Sequence, residues 1–295
     1  MLSTNDLRYL NMPNLSKDGQ LLVQLTQNSK NILAAPKQFA MYTILVIKDG
    51  VGDFKADFGT FNAKGPCIVF STPLQTIQLK GHFHEISILQ FHGDFYCIEY
   101  HKKEVSCNGI LFNNVYSNPC IPLMPESHAD FCRILADLNK ELTASRPFDS
   151  IVITLIQLLL AKSASVRMKR RTRNLKRDEM MELFRELLDK YFITIRKPAD
   201  YAKLLGLSPN SLTKRCRVYF GKTPSELIGE RIVLEAKKKL HLSRQTVKHI
   251  AHALKFDDEH YFSRFFKKVT KVSPQTFRKK TGISVVADLS ISKTD

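Results

Sequence analysis

The sequence predicts an α+β protein of two domains. The first is a β-rich sandwich or barrel with a helical pair. The second is an all-α domain holding two helix-turn-helix units. Three observations predict this. From Phe39 to about Val115 short β-rich runs recur, each closed by Gly, Pro, Asn or Asp. From Asp178 to Lys280 the apolar residues keep helical spacing, and one pattern occurs twice. Charge is divided between the halves: residues 1–161 hold 13 Lys and Arg against 14 Asp and Glu, net −1, whereas residues 162–295 hold 32 against 14, net +18. A neutral half joined to a strongly basic one points to a polyanion partner for the second half only.

Residues 1–165 are expected to form the first domain. Its strands are "MYTILVIKDG", "DFKADFGTF", "PCIVFSTP", "TIQLKG" and "HEISILQF". Regular short strands with such punctuation suit an antiparallel sandwich or barrel. Phe39, Tyr42, Phe70 and Phe91 either line a ligand-holding interior or, as barrel aromatics do by default, pack its core. Two helices follow, at about 126–143 and 148–163. Phe131, Ile134, Leu135, Leu138 and Leu142 form the buried stripe of the first. Ile151, Leu155, Leu158 and Leu159 lie on one side of the second. Two roles stay open for that side: a homodimer seam, or packing back onto its own barrel.

The basic stretch at 166–177 reads as a linker, 178–282 as the second domain and 283–295 as a tail. Within the second domain "YAKLLGLSPNSLTKRC" (201–216) matches "IAHALKFDDEHYFSRFF" (250–266), and "GKTP" (221–224) matches "KVSP" (271–274). Each copy reads as helix, tight turn, helix, over about 198–220 and 246–269. Ser208 before Pro209, Asp257 or Asp258, and Thr223 with Glu226 three residues on are the expected N-caps. On the last helix of the second copy Phe262, Phe265, Phe266 and Val269 fall at core spacing, with Tyr261 half-buried beside them.

This arrangement suits double-stranded DNA. The outer helix of such a unit enters the major groove, where polar side chains reach base edges and basic ones hold phosphates. The region from Asp178 to Lys280, and above all "IAHALKFDDEHYFSRFFKKVTKVSP", resembles the DNA-binding domain of the AraC/XylS family of bacterial transcription regulators. The resemblance implies a cupin-like N-terminal barrel, a small-molecule effector held there, and RNA polymerase as a partner. Carried onto matching positions, it implies groove-facing roles for Asn210, Thr213, Lys214 and Arg217 in the first unit. In the second unit it implies them for Glu259, His260, Ser263, Arg264 and Lys267. Arg231 is either a phosphate contact or a tie within the domain. Three departures stand out: Lys255 and Lys271 at turn positions that favour glycine, and Arg215–Cys216 where large apolar residues are usual.

No cofactor, metal site or enzyme activity is expected. His82 and His84 alternate on one strand face, but Glu85 points the other way and no third ligand follows. Cys97, His101 and Cys107 are too loosely spaced to suggest a site. The alternative reading is a metal-dependent cupin enzyme with an accessory nucleic-acid module; a third is an architectural DNA binder without sequence preference. Six scattered cysteines read as reduced thiols in a cytoplasmic protein. The N-terminal residues lack an export signal. The most apolar run, "IVITLIQLLLA", is too short for a bilayer.

Overall fold

A computed structural model describes residues 23–28, 30–57, 59–93, 95–96, 111–112, 115–116, 118–144, 149–173 and 178–281. The chain divides into two compact units. The first comprises Met1–Ala56, Thr60–Phe112 and Pro119–Thr172. The second comprises Asp57–Gly59, Asn113–Asn118 and Arg173–Asp295.

The first unit is an antiparallel sheet of β1 (Val23–Asn28), β2 (Lys37–Gln38), β3 (Tyr42–Ala56), β4 (Gly59–Lys64), β5 (Cys67–Ser71), β6 (Thr76–Phe91) and β7 (Cys120–Pro122). The strands run in the order β1-β6-β3-β5-β7, with β2 on β6 and β4 on β3. The two long strands, β3 and β6, pair antiparallel along their length, with Gly50, Gly52 and Gly81 in the middle of the pairing. Gly50 and Gly81 have φ of 130° and 127°, and a Cβ there would lie 2.3 Å from the His82 carbonyl oxygen and 2.4 Å from that of Val51. Only glycine permits this backbone approach.

Alternation along the strands gives the sheet two apolar faces. Leu25, Leu89, Ile44 and Phe70 form a cross-strand row on one face, which the helices cover. Leu45, Ile47, Val69, Ile86 and Ile88 face the other way into a second core. This parity assigns the aromatic candidates to packed cores. Tyr42, Phe70 and Phe91 belong to the helix-covered face, where they pack on Phe112; Phe39 alone packs against the second core. On the second face a polar row crosses four strands. Gln24 donates to Gln90, Gln90 donates to Thr43 at 3.1 Å, and Thr43 pairs in register with Ser71.

Helix α1 (Pro125–Leu142) buries all five residues of its predicted stripe. Helix α2 (Asp149–Arg173) differs from expectation twice. It buries Val152, Ile156, Leu159 and Leu160, while Ile151 and Leu158 are exposed, because a nearly continuous apolar run does not define which face packs inward. It also continues through the basic stretch read as a linker as far as Arg173, since Arg, Lys and Met favour a helix and neither Gly nor Pro interrupts it. Residues 174–177, the tail 283–295, and Cys97, His101 and Cys107 lie outside the described residues. By length and composition Asp149–Arg170 could span a bilayer, which the shorter sequence window did not anticipate, yet one side of it is buried in the core. His82 and His84 are exposed, and Glu85 pairs with Lys48 at 2.7 Å. Among the described residues no group of three His, Cys, Asp or Glu could hold a metal.

The second unit is helical: α3 (Glu179–Tyr191), α4 (Pro198–Leu204), α5 (Pro209–Phe220), α6 (Pro224–Leu242), α7 (Val247–Ala253), α8 (Glu259–Thr270) and α9 (Pro274–Thr281). Helices α4–α5 and α7–α8 are the two helix-turn-helix units, and α6 joins them.

Candidate nucleic-acid interface

Local chemistry starts each outer helix where the sequence indicates. The Ser208 hydroxyl accepts from the Ser211 amide at 3.2 Å, and Pro209 opens α5. Asp258, rather than Asp257, caps α8 by accepting from the Tyr261 amide at 2.5 Å. Thr223 and Glu226 form the reciprocal capping box of α6. Each cap satisfies amides that have no partner inside their helix.

Inward faces then orient the outer helices. Leu212, Cys216 and Phe220 are buried on α5; Phe262, Phe266 and Val269 are buried on α8. Phe266 meets Phe277 of α9 edge-on, and Phe262 meets Phe256 at 5.2 Å. Phe265 is half-buried. Tyr261 is 55% exposed, more than its sequence position suggested, and rests its ring against Phe256. The small Cys216 is accommodated because Met181 of α3 reaches it, sulfur to sulfur at 3.8 Å. Burial pushes its thiol up to about 12, so it is an inert packing group. Its neighbour Arg215 turns outward to the N-cap carboxylate of α3, Asp178.

With these faces turned inward, the polar candidates fall on the outer surface. Asn210, Lys214 and Arg217 are exposed on α5; His260, Arg264 and Lys267 are exposed on α8. Thr213, Glu259 and Ser263 are partly exposed, and the Thr213 hydroxyl donates back to the Pro209 carbonyl at 2.9 Å. Arg231 is set apart from this group. Its guanidinium stacks on the Phe192 ring, 3.9 Å from the centroid, and pairs with Asp189 at 2.7 Å. Those contacts make it a tie between α6 and the end of α3, one of the two roles the sequence left open.

Two lysines take left-handed backbone angles at the turns: Lys255 with φ 58° and Lys271 with φ 65°. Gly206 and Gly221, their counterparts in the first unit, have φ 65° and 70°. A side chain in this region is strained relative to glycine by about 1 kcal/mol. Lys255→Gly is therefore expected to raise thermal stability by about that amount, and to weaken DNA binding slightly through the lost cation. Calorimetric melting and a DNA titration on the same samples check both parts.

Residues 201–280 match the family model for a helix-turn-helix domain. This is the segment that carries both turns, both outer helices and the joining helix. The C-terminal domain is a DNA-binding helix-turn-helix domain of the AraC type. Solved structures similar to the chain include the C-terminal domain of AraT, a response regulator from Geobacillus stearothermophilus. That likeness has 26% identity, 36% of this chain and 88% of that one, and a TM-score of 0.34. The C-terminal domain of the response regulator yesN from Fusobacterium nucleatum is 21% identical, over 34% of this chain and 99% of that one, with a TM-score of 0.32. ToxT from Vibrio cholerae, in an unsaturated fatty acid complex, is 15% identical, over 88% of this chain and 95% of that one, with a TM-score of 0.41. No curated protein matches the chain.

Sequence reasoning missed several residues that shape the AraC-type domain. Lys222 and Glu230 form a buried ion pair at 2.6 Å. Tyr219 donates to Glu182 at 3.0 Å, and Arg196 reaches the second turn. Tyr219 and Glu182, and Arg196 and the second turn, are far apart in the chain; Lys222 and Glu230 are eight residues apart, beyond one or two helical turns, and no local pattern marks any of them.

Proposed function

We propose that the chain is a sequence-specific DNA-binding transcription regulator. The observation that carries this is the duplicated unit. Two outer helices, each capped at its start and anchored by its inner face, present exposed polar and basic side chains on the half of the chain with net charge +18. Asn210, Thr213, Lys214 and Arg217 form the first reading surface, and Glu259, His260, Ser263, Arg264 and Lys267 the second. Asparagine pairs adenine edges and arginine pairs guanine edges; Glu259 accepts from cytosine. Lys267 and Arg217, further along their helices, contact phosphate. The two units read successive major grooves about one helical turn apart.

Arg264→Ala tests base reading. It is expected to cost about 1–3 kcal/mol on a preferred duplex and to relax the preference at one base position. Titration of selected and random duplexes at fixed salt measures this. Equal loss on both would assign Arg264 to the backbone instead.

The regulator acts in the cytoplasm, as an activator that engages RNA polymerase, and it is not an enzyme; these parts of the proposal rest on the resemblance of the C-terminal half. Its N-terminal domain holds the effector. The polar row Gln24, Gln90, Thr43 and Ser71 is the place where such a ligand would find hydrogen bonds.

A homodimer is part of the same reading. The outward side of α2 presents Ile151, Thr154, Leu158, Ala161, Ser165 and Met168, all exposed, at alternating steps of three and four residues. That is the spacing of a two-helix seam, and it lies opposite the side buried in the core. Leu158→Glu is expected to shift the protein from dimer to monomer in sedimentation, leaving its melting temperature within about 2 °C because the side chain is already exposed.

A further inference from the structure

Arg196 lies between α3 and α4, in the approach to the first helix-turn-helix unit, yet its guanidinium is spent on the second. One terminal nitrogen donates to the Leu254 carbonyl and, at 2.9 Å, to the Lys255 carbonyl. The guanidinium plane lies over the Phe256 ring, 4.0 Å from its centroid. These three residues are the turn that precedes α8. Carbonyls at a helix C-terminus lack partners inside the helix, so a cation there both caps α7 and meets the negative end of its dipole.

Both ends of this contact are themselves anchored. The Tyr201 hydroxyl, on a wholly buried side chain of α4, donates to the carbonyl of Ile195 at 3.0 Å. It thereby fixes the backbone immediately before Arg196. On the far side Phe256 packs on Phe262 and Phe265 of α8, at 5.2 and 5.4 Å. A continuous path thus runs from α4 through Tyr201, Ile195 and Arg196 to the turn and into α8. The connecting helix α6 joins the two units in sequence; Arg196 joins them a second time, across 58 and 59 residues. Two attachments remove the hinge freedom that a single helix end leaves.

We propose that Arg196 is a positioning residue that sets the offset between α5 and α8, and through it the spacing of the two DNA half-sites. It does not touch DNA itself. The spacing clause rests on the function proposed above; the offset clause does not.

The test uses the full chain with Cys97, Cys107 and Cys132 replaced by serine and spin labels at Val218→Cys on α5 and Lys268→Cys on α8. Without DNA, the label-to-label distance distribution is expected to be narrow, and to broaden in both Arg196→Ala and Arg196→Lys. Lysine keeps the charge but cannot stack on Phe256 while capping both carbonyls. An unchanged distribution in Arg196→Ala overturns the proposal. The second arm uses duplexes recovered by the unsubstituted chain from a random library, with zero, one or two base pairs inserted between half-sites. Arg196→Ala is expected to bind the selected spacing about tenfold more weakly, and to lose little more on the longer ones. A uniform loss on every spacing and on random DNA, or full rescue by Arg196→Lys, would make Arg196 a phosphate contact and overturn the proposal. If the library yields no preferred duplex, the sequence-specific reading fails, while the label distances still decide Arg196.

Discussion

Phe266→Ala is expected to destabilise the C-terminal domain by about 3–5 kcal/mol, enough to unfold the second helix-turn-helix unit at ordinary temperatures. Phe266 is wholly buried and joins the core of α8 to Phe277 of α9 and to Phe262. Truncation removes a large apolar surface and leaves a cavity among rings that belong to separate helices and cannot close it. Cys216→Ala, at the matching position of α5, removes one sulfur atom and is expected to cost only about 1 kcal/mol. Paired denaturant titrations of the two variants check the contrast. The second helix would lose ordered DNA binding in step with its fold, while α5 would keep its own surface.

Breaking the Lys222–Glu230 pair gives the second large effect, and an asymmetric one. The Lys222 side chain is 3% exposed and Glu230 lies beside it at 2.6 Å, with the second Glu230 oxygen buried and without a hydrogen bond. Burial raises the Glu230 carboxyl to about 7, against the opposing pull of Lys222. Glu230→Leu removes the carboxylate from a buried cation and is expected to cost about 3–5 kcal/mol. Lys222→Met is expected to cost less, because the remaining carboxyl can take up a proton.

The sign of the pH dependence follows from the same raised value. Between the ordinary carboxylate range and about pH 7 the folded state holds a proton on Glu230 that the unfolded chain has released. Glu230 therefore lowers stability as pH rises through this window, the reverse of an ordinary surface-paired carboxylate. Melting at pH 8 and pH 6 should show Lys222→Met recovering toward the parent at the lower pH. A loss that is identical at both values would mean that removing the lysine leaves the carboxyl's titration unchanged.

The C-terminal domain was legible because its instructions are local. Ser208, Thr223 and Asp258 are caps whose partners stand three residues away, and the turns at Gly206 and Lys255 share one backbone conformation. The charge division pointed at a polyanion without any fold. The N-terminal sheet was legible as strands, from alternation and punctuation. Which aromatic ring faced which core was not, since Tyr42 and Phe70 join their face through partners on β6 and β3. Tyr261 was read too deeply because Phe256 and Phe262, two core rings, stand close to it in the sequence.

What the sequence determined by itself about this protein is therefore its list of elements, its duplicated unit and the exposed residue types on the outer helices. All of these follow from interactions within a few residues: helical periodicity, caps and turn conformations. Only the tertiary structure decided how the arginines divide. Arg231 and Arg196 hold the domain together, Arg215 pairs with Asp178, and Arg217 and Arg264 remain at the surface. The same structure decided which side of α2 stays open and where the Lys222–Glu230 pair is buried. The physical reason is distance along the chain. A guanidinium has the same local signature whether it meets a phosphate, a carboxylate or a distant carbonyl, and only packing brings one of these within its reach.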